Sequence, residues 1–176
     1  MDLSAYNRIA AIGCPGSGKS TLARQIAAQT GHPLIHLDYE NWQPGWIALP
    51  KEEFISKQKE WVSGARWLID GNYKGSMEIR FSAADLVLFL DLPRRVCVWR
   101  VLKRRGTQRP DMKPGMEEPR LFSKDFAGFL RFVLFYSINN RPRVLALHEK
   151  YPEVKFLQLR TRKAVRELLE QLSIQH

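Results

Sequence analysis

The chain has 176 residues, 44% hydrophobic and 26% charged, which suits a folded domain with a sizeable core and excludes a disordered chain. Its formal net charge of +10 favours anionic partners, either a polyanion or a small anion in a positive site. Two cysteines, Cys14 and Cys97, show neither metal spacing nor a paired framework, so a reducing cytoplasm is the expected home.

In chain order, Met1–Ala11 lacks the apolar run of a signal peptide. Arg8–Ile12 (RIAAI) reads as a buried strand feeding a Gly-rich turn. Ser20–Thr30 follows as a helix with Leu22, Ile26 and Ala27 on one face and Gly31 as its stop. Pro33–Leu37 (PLIHL) is a second strand, expected to end at Asp38, and Pro50–Gly64 a helix with Phe54, Ile55, Gln58 and Trp61 at helical spacing. Trp67–Ile69 and Leu86–Leu90 (LVLFL) are further buried strands, ending at Asp70 and Asp91. Arg94–Arg105 reads as a basic helix opened by Pro93, and Gly106–Pro119 as a polar, mobile lid loop. Arg120–Lys150 reads as largely helical, Val154–Leu159 as a fifth strand and Arg162–Leu172 as a last helix. The most apolar stretch, Phe126–Ile138, spans about 20 Å as a helix, too short for a bilayer.

Short apolar strands alternating with helices predict an α/β fold: a five-stranded parallel sheet with helices on both faces, in one domain. Such sheets place ligands at the carboxyl ends of their strands. Those ends carry Gly13–Ser20, Asp38, Asp70 with Gly71, and Asp91.

Residues 13–20 read GCPGSGKS, the spacing G-x-x-x-x-G-K-S between a strand and a helix. Glycines let a loop fold back so that its backbone N–H groups converge on phosphate oxygens at a helix start. Gly13, Cys14, Pro15, Gly16, Ser17 and Gly18 are therefore the expected nucleotide cradle. Lys19 would reach the β- and γ-phosphates, Ser20 would ligate Mg²⁺, and Thr21 would meet the inner phosphate. Cys14 reads as a small loop residue rather than a nucleophile, since no histidine follows nearby.

The segments GCPGSGKSTLARQIA, GHPLIHLD, WLIDGNY, ADLVLFLDLPRRVCVWRVLKRR and RPDMKPGMEE occur in one order along the chain. Together they resemble the DNA topology modulation proteins, which look like small P-loop kinases of the adenylate and shikimate kinase type. That resemblance implies ATP and Mg²⁺ as cofactors, an acceptor-binding region at residues 38–64 and an arginine-bearing lid at 106–119. By it, Asp38 contacts the acceptor and Asp70 holds Mg²⁺ through water. Lys74 stands where a related arginine meets an acceptor phosphate, while Asn72 and Tyr73 depart from the Phe-Pro pair of adenylate kinases.

A carboxylate at Asp38 can orient a hydroxyl and take its proton, or it caps a turn. Trp42 and Trp46 either stack on an acceptor ring or cover the sheet edge. Arg80 and Arg141 are candidate anchors for an anionic acceptor, with surface charge as the alternative for Arg80, and Asn72 is a further acceptor-side candidate. Arg100, Arg104 and Arg109 are the lid candidates for stabilising charge in phosphoryl transfer. Arg160 and Arg162 would border adenine. The leading expectation is an ATP-dependent small-molecule kinase, monomeric or homodimeric, with no membrane segment. The competing expectation is a nucleotide-regulated DNA-binding protein, and a polynucleotide end kinase combines the two.

Overall fold

The computed structural model describes residues 2–104, 112–113, 116 and 123–173. The strands among them are β1 (Arg8–Gly13), β2 (Leu34–His36), β3 (Trp42–Gln43), β4 (Ile47–Ala48), β5 (Trp67–Asp70), β6 (Leu86–Leu90) and β7 (Lys155–Leu159). The helices are α1 (Lys19–Thr30), α2 (Leu37–Asn41), α3 (Lys51–Ser63), α4 (Met77–Ala83), α5 (Arg94–Lys103), α6 (Lys124–Asn139), α7 (Arg141–Lys150) and α8 (Arg162–Ser173). Five strands form one parallel sheet in the order β2-β5-β1-β6-β7, and β3 and β4 form a separate antiparallel hairpin.

Alternation along the strands sorts the core into two faces. Ala10, Ile12, Ile69, Val87 and Phe89 pack with residues of α3 to α7, while Ile9, Ala11, Leu68, Leu86 and Leu88 pack with α1 and α8. Side chains as fully buried as Phe89 and Ile12 contribute about 1.5–3 kcal/mol each. The register sets Asp70 opposite both Ala11 and His36, and Gly13 opposite Leu90. The carboxyl ends of β2, β5, β1 and β6 therefore lie in a row, which is where the site is built.

The structure departs from the sequence expectations in three places. The second strand stops at His36, and Asp38 is the second residue of α2 rather than a strand end. Asp38 and Glu40 lie in that helix's first turn, where carboxylates offset the unpaired N–H groups. The long helical stretch is two helices meeting at Asn140, because Pro142 has no N–H to continue the ladder. Residues 42–48, left without structure in the sequence reading, form the β3–β4 hairpin around Pro44 and Gly45.

Ser123 caps α6, its hydroxyl accepting from the Phe126 N–H at 3.1 Å. The outer face of α6 leaves Leu134, Phe135 and Ile138 exposed. No described helix is long and apolar enough to cross a membrane.

Candidate active site

The 13–20 loop joins β1 to α1 and turns through left-handed conformations at Gly16 (φ 84°) and Gly18 (φ 98°). A side chain at Gly16 would also place its Cβ 2.4 Å from the Cys97 carbonyl oxygen, so the first turns of α5 press directly on the loop. Three contacts fix the loop from outside. Arg100 Nη1 donates to the carbonyls of Ser17 (2.8 Å) and Gly16 (3.4 Å). The Gly13 N–H donates to Asn72 Oδ1 (3.1 Å), which also accepts from the Tyr136 hydroxyl (3.1 Å). The Cys14 thiol is buried and points to the Val133 carbonyl. The Cys97 hydrogen bond and burial push its pKa far up, so Cys14 is a packed thiol there.

The loop opens onto a cavity of about 1300 Å³. Pro15 to Thr21 line it, Cys14 and Gly13 lie behind it, and Lys19 is almost fully buried in its wall. Arg24, Arg100, Lys103, Arg104 and Arg162 add cations to the same wall. Burial, then the neighbouring Arg162 charge, pulls the Arg100 pKa down. Crowded, partly desolvated cations of this kind favour an anion between them. Arg109 and most of the expected 106–119 lid lie outside the described residues, although Met112 lines the cavity.

On the other side of the loop stand Asp38, Trp42, Trp46, Asn72, Tyr73 and Lys74. The Tyr73 hydroxyl donates to Asp38 Oδ1 at 3.0 Å. Burial, reinforced by the Asp38 charge, pushes the Tyr73 pKa well above the usual phenol range, so it remains a donor at any working pH. Trp42 and Trp46 meet edge to face, centroids 5.6 Å apart at 68°.

Arg80, Arg141 and Asp70 also lie off the cavity wall. Arg80 is fully buried and bonded to Gln58 Oε1, the Ser76 carbonyl (3.2 Å) and the Asn72 carbonyl (2.9 Å). It is neither a surface charge nor exposed to the cavity; it holds the turn that carries Asn72 and Tyr73. Burial lowers its pKa to about 10, which leaves it charged at neutral pH. Arg141 Nε donates to Asp91 Oδ2 (2.9 Å), which also accepts from Gln158 (2.6 Å), so this guanidinium serves the end of β6. Asp70 is buried at the end of β5, with His36 Nδ1 2.9 Å from its Oδ2. Arg160 is exposed and bonds Gln158, whereas Arg162 reaches the wall.

The sequence reading missed Tyr73 as a partner of Asp38 and Arg80 as a support. The signal for Tyr73 was its place two residues past the Asp70-Gly71 strand end. The pairing of β2 with β5 then brings it beside α2.

The arrangement is a glycine loop at a strand-to-helix junction, a buried lysine at the helix start, and arginines facing it. Solved kinases share this fold. A shikimate kinase from Acinetobacter baumannii, solved with shikimate, superposes with TM-score 0.56 at 17% identity, over 97% of this chain and 92% of that one. A shikimate kinase from Bacteroides thetaiotaomicron gives 0.54 at 18% identity, over 97% and 98%. A sugar kinase from a Janibacter species gives 0.51 at 20% identity, over 96% and 91%. No protein-family model and no curated protein sequence matches the chain. None of these three structures is a DNA topology modulation protein, so that narrower resemblance rests on the sequence segments alone.

Proposed function

We propose that the protein is an ATP-dependent kinase that transfers the terminal phosphoryl group to a hydroxyl of a small molecule. The observation that carries this is the left-handed glycine loop with Lys19 buried at its exit, facing a cavity walled by Arg100, Lys103, Arg104 and Arg162. The backbone N–H groups and Lys19 bind the phosphates of the donor. Arg104 and Arg100 face the transferring group and offset charge as it spreads over the phosphoryl oxygens. Asp38, held by Tyr73, orients the acceptor hydroxyl and takes its proton.

The residues fit Mg²⁺–ATP. Ser20 lines the cavity, and Ser17 Oγ and Asp70 Oδ1 are buried without a hydrogen-bond partner among the described residues. No group of three or more His, Cys, Asp or Glu forms a metal cage among them, which suits an ion held by one hydroxyl, phosphate oxygens and water. Ser20 would ligate the ion directly and Asp70 through water. When bound, Mg²⁺ neutralises phosphate charge and draws electron density from the bond that breaks.

Lys19→Ala tests the reading. The expected result is loss of at least about a hundredfold in phosphoryl transfer, the scale of deleting one charge-stabilising donor, with the melting temperature retained. Turnover within a few fold of the parent protein would rule the mechanism out. The reading of the chain as a DNA topology modulation protein that binds DNA under nucleotide control is the second proposal. Its physical support is the net charge of +10, and its test is argued below.

A further inference from the structure

Asn72 ties the phosphate loop to the acceptor turn with the two ends of one residue. Its backbone carbonyl accepts from Arg80 Nη2 at 2.9 Å. Its side-chain Oδ1 accepts from the Gly13 N–H and from the Tyr136 hydroxyl, each at 3.1 Å. The next residue, Tyr73, has a left-handed backbone with φ 30°. A residue with a side chain keeps that strained conformation only where its surroundings fix it. Here the buried Arg80 fixes it, holding the Asn72 carbonyl while its other donors engage Gln58 and Ser76.

These bonds settle which way the Asn72 amide faces. A backbone N–H only donates, so the side-chain atom beside Gly13 N is the amide oxygen, and the nitrogen takes the other branch. Among the described residues no hydrogen bond engages that nitrogen. Asn72 is half-buried and lines the same cavity as Pro15 to Thr21 and Asp38. With its oxygen fastened to the loop, the carboxamide offers the cavity two N–H donors in a set orientation.

Register and chain position locate those donors. Asp70 pairs with Ala11, two residues before Gly13, and Asn72 follows Asp70 by two, so Asn72 stands level with the start of the loop. Tyr73 reaches away from it to Asp38 Oδ1 at 3.0 Å. A phosphoryl group passing from a nucleotide in the loop to a hydroxyl at Asp38 lies between those two ends. A neutral donor pre-set there is worth most to an oxygen on which negative charge builds. Resting on the kinase reading above, we infer that Asn72 is a catalytic residue whose Nδ2 donates to an oxygen of the terminal phosphoryl group, so that it distinguishes a nucleoside triphosphate from a diphosphate.

The test needs no acceptor. Calorimetric Kd values for Mg²⁺–ATP and Mg²⁺–ADP are compared for the full-length parent protein, Asn72→Asp and Lys19→Ala. Asn72→Asp keeps an oxygen for the Gly13 N–H and the Tyr136 hydroxyl and replaces only the donor. The expected result is at least about tenfold weaker ATP binding in Asn72→Asp, the scale of losing a hydrogen bond to a charged group. ADP binding should stay within about threefold, because its nearest phosphate is farther away and screened. Equal weakening of both nucleotides would reduce Asn72 to a tether of the loop and overturn the inference, as would no change in either. If Asn72→Asp does not fold, the parent protein decides through the side-chain amide resonances of Asn72. They should shift with Mg²⁺ and an unhydrolysable ATP analogue and stay near their free positions with Mg²⁺–ADP, and equal shifts with both overturn the inference. Nucleotide binding that does not depend on Lys19 removes the kinase reading and this inference with it, whereas Lys19-dependent binding with an unchanged ATP-to-ADP ratio in Asn72→Asp removes the inference alone.

Discussion

Tyr73 is where the acceptor side is most constrained. Its hydroxyl donates to Asp38 Oδ1 at 3.0 Å and is largely buried there. A carboxylate held at one oxygen by a fixed donor loses rotational freedom, which is the entropy a base must otherwise surrender at the moment of reaction. Tyr73→Phe keeps the ring against Phe54, whose centroid lies 4.8 Å away, and removes only the hydroxyl. We expect kcat for a hydroxyl acceptor to fall about tenfold, equal to about 1.4 kcal/mol for a hydrogen bond to a charged group, with KM for ATP unchanged. An unchanged kcat would show that Asp38 needs no such tether. Residues at this scale were unevenly legible. Lys19 and its glycines could be read from spacing because backbone geometry demands those residue types. Arg80 could not: an arginine in a sequence does not show which way it points, and this one spends its donors on Gln58, Ser76 and Asn72.

Among the elements, the strand edges far from the site have their own fastening. Asp85, just before β6, accepts from the N–H groups of Asn7 (3.1 Å) and Arg8 (2.9 Å) with Oδ2, and from the Arg8 guanidinium (3.1 and 2.7 Å) with Oδ1. Partial burial raises the Asp85 pKa, but the Arg8 side chain and backbone bonds outweigh it and hold the pKa below the usual carboxylate value. A depressed folded-state pKa contributes stability above the unfolded-state pKa, near 4, and loses it as pH falls through the lower folded value. Asp85→Asn should therefore cost about 1 kcal/mol at pH 7, the low end for charge-assisted bonds because the pair is partly solvated. In urea titrations the gap should close as pH falls below about 4. A gap that persists at low pH would assign the cost to packing rather than charge. β1 and β6 were readable as unbroken apolar runs because helices cover both faces of the sheet, and α3 from the helical spacing of its apolar residues. The β3–β4 hairpin and α2 were not, since strands of two residues and a helix of five carry no period, and their form follows from local turn chemistry and the neighbouring sheet.

For the whole molecule the question is what a charge of +10 serves. Many of the cations converge on one concave wall, where Lys19, Arg24, Arg100, Lys103, Arg104 and Arg162 share a cavity. A nucleotide triphosphate places its charge there and is bound by forks and backbone donors at short range. A duplex is a rod about 20 Å wide, and its phosphates are reached by an exposed face of cations rather than by a recess. The two readings therefore separate by competition. Labelled duplex DNA can be titrated with the protein across about 20–200 mM KCl, with and without Mg²⁺–ATP. If the charge serves the cavity, DNA binding is weak and falls steeply with salt, and at 150 mM its Kd exceeds about 1 µM, as for nonspecific association. Mg²⁺–ATP then lowers what remains by filling the cavity and cancelling its field. Submicromolar DNA binding that survives physiological salt, and that ATP tunes without displacing, would instead move the protein to the nucleotide-regulated DNA reading. In that case Lys19→Ala would leave DNA affinity intact while removing the response to ATP, because the loop would act as the sensor and a separate face as the reader.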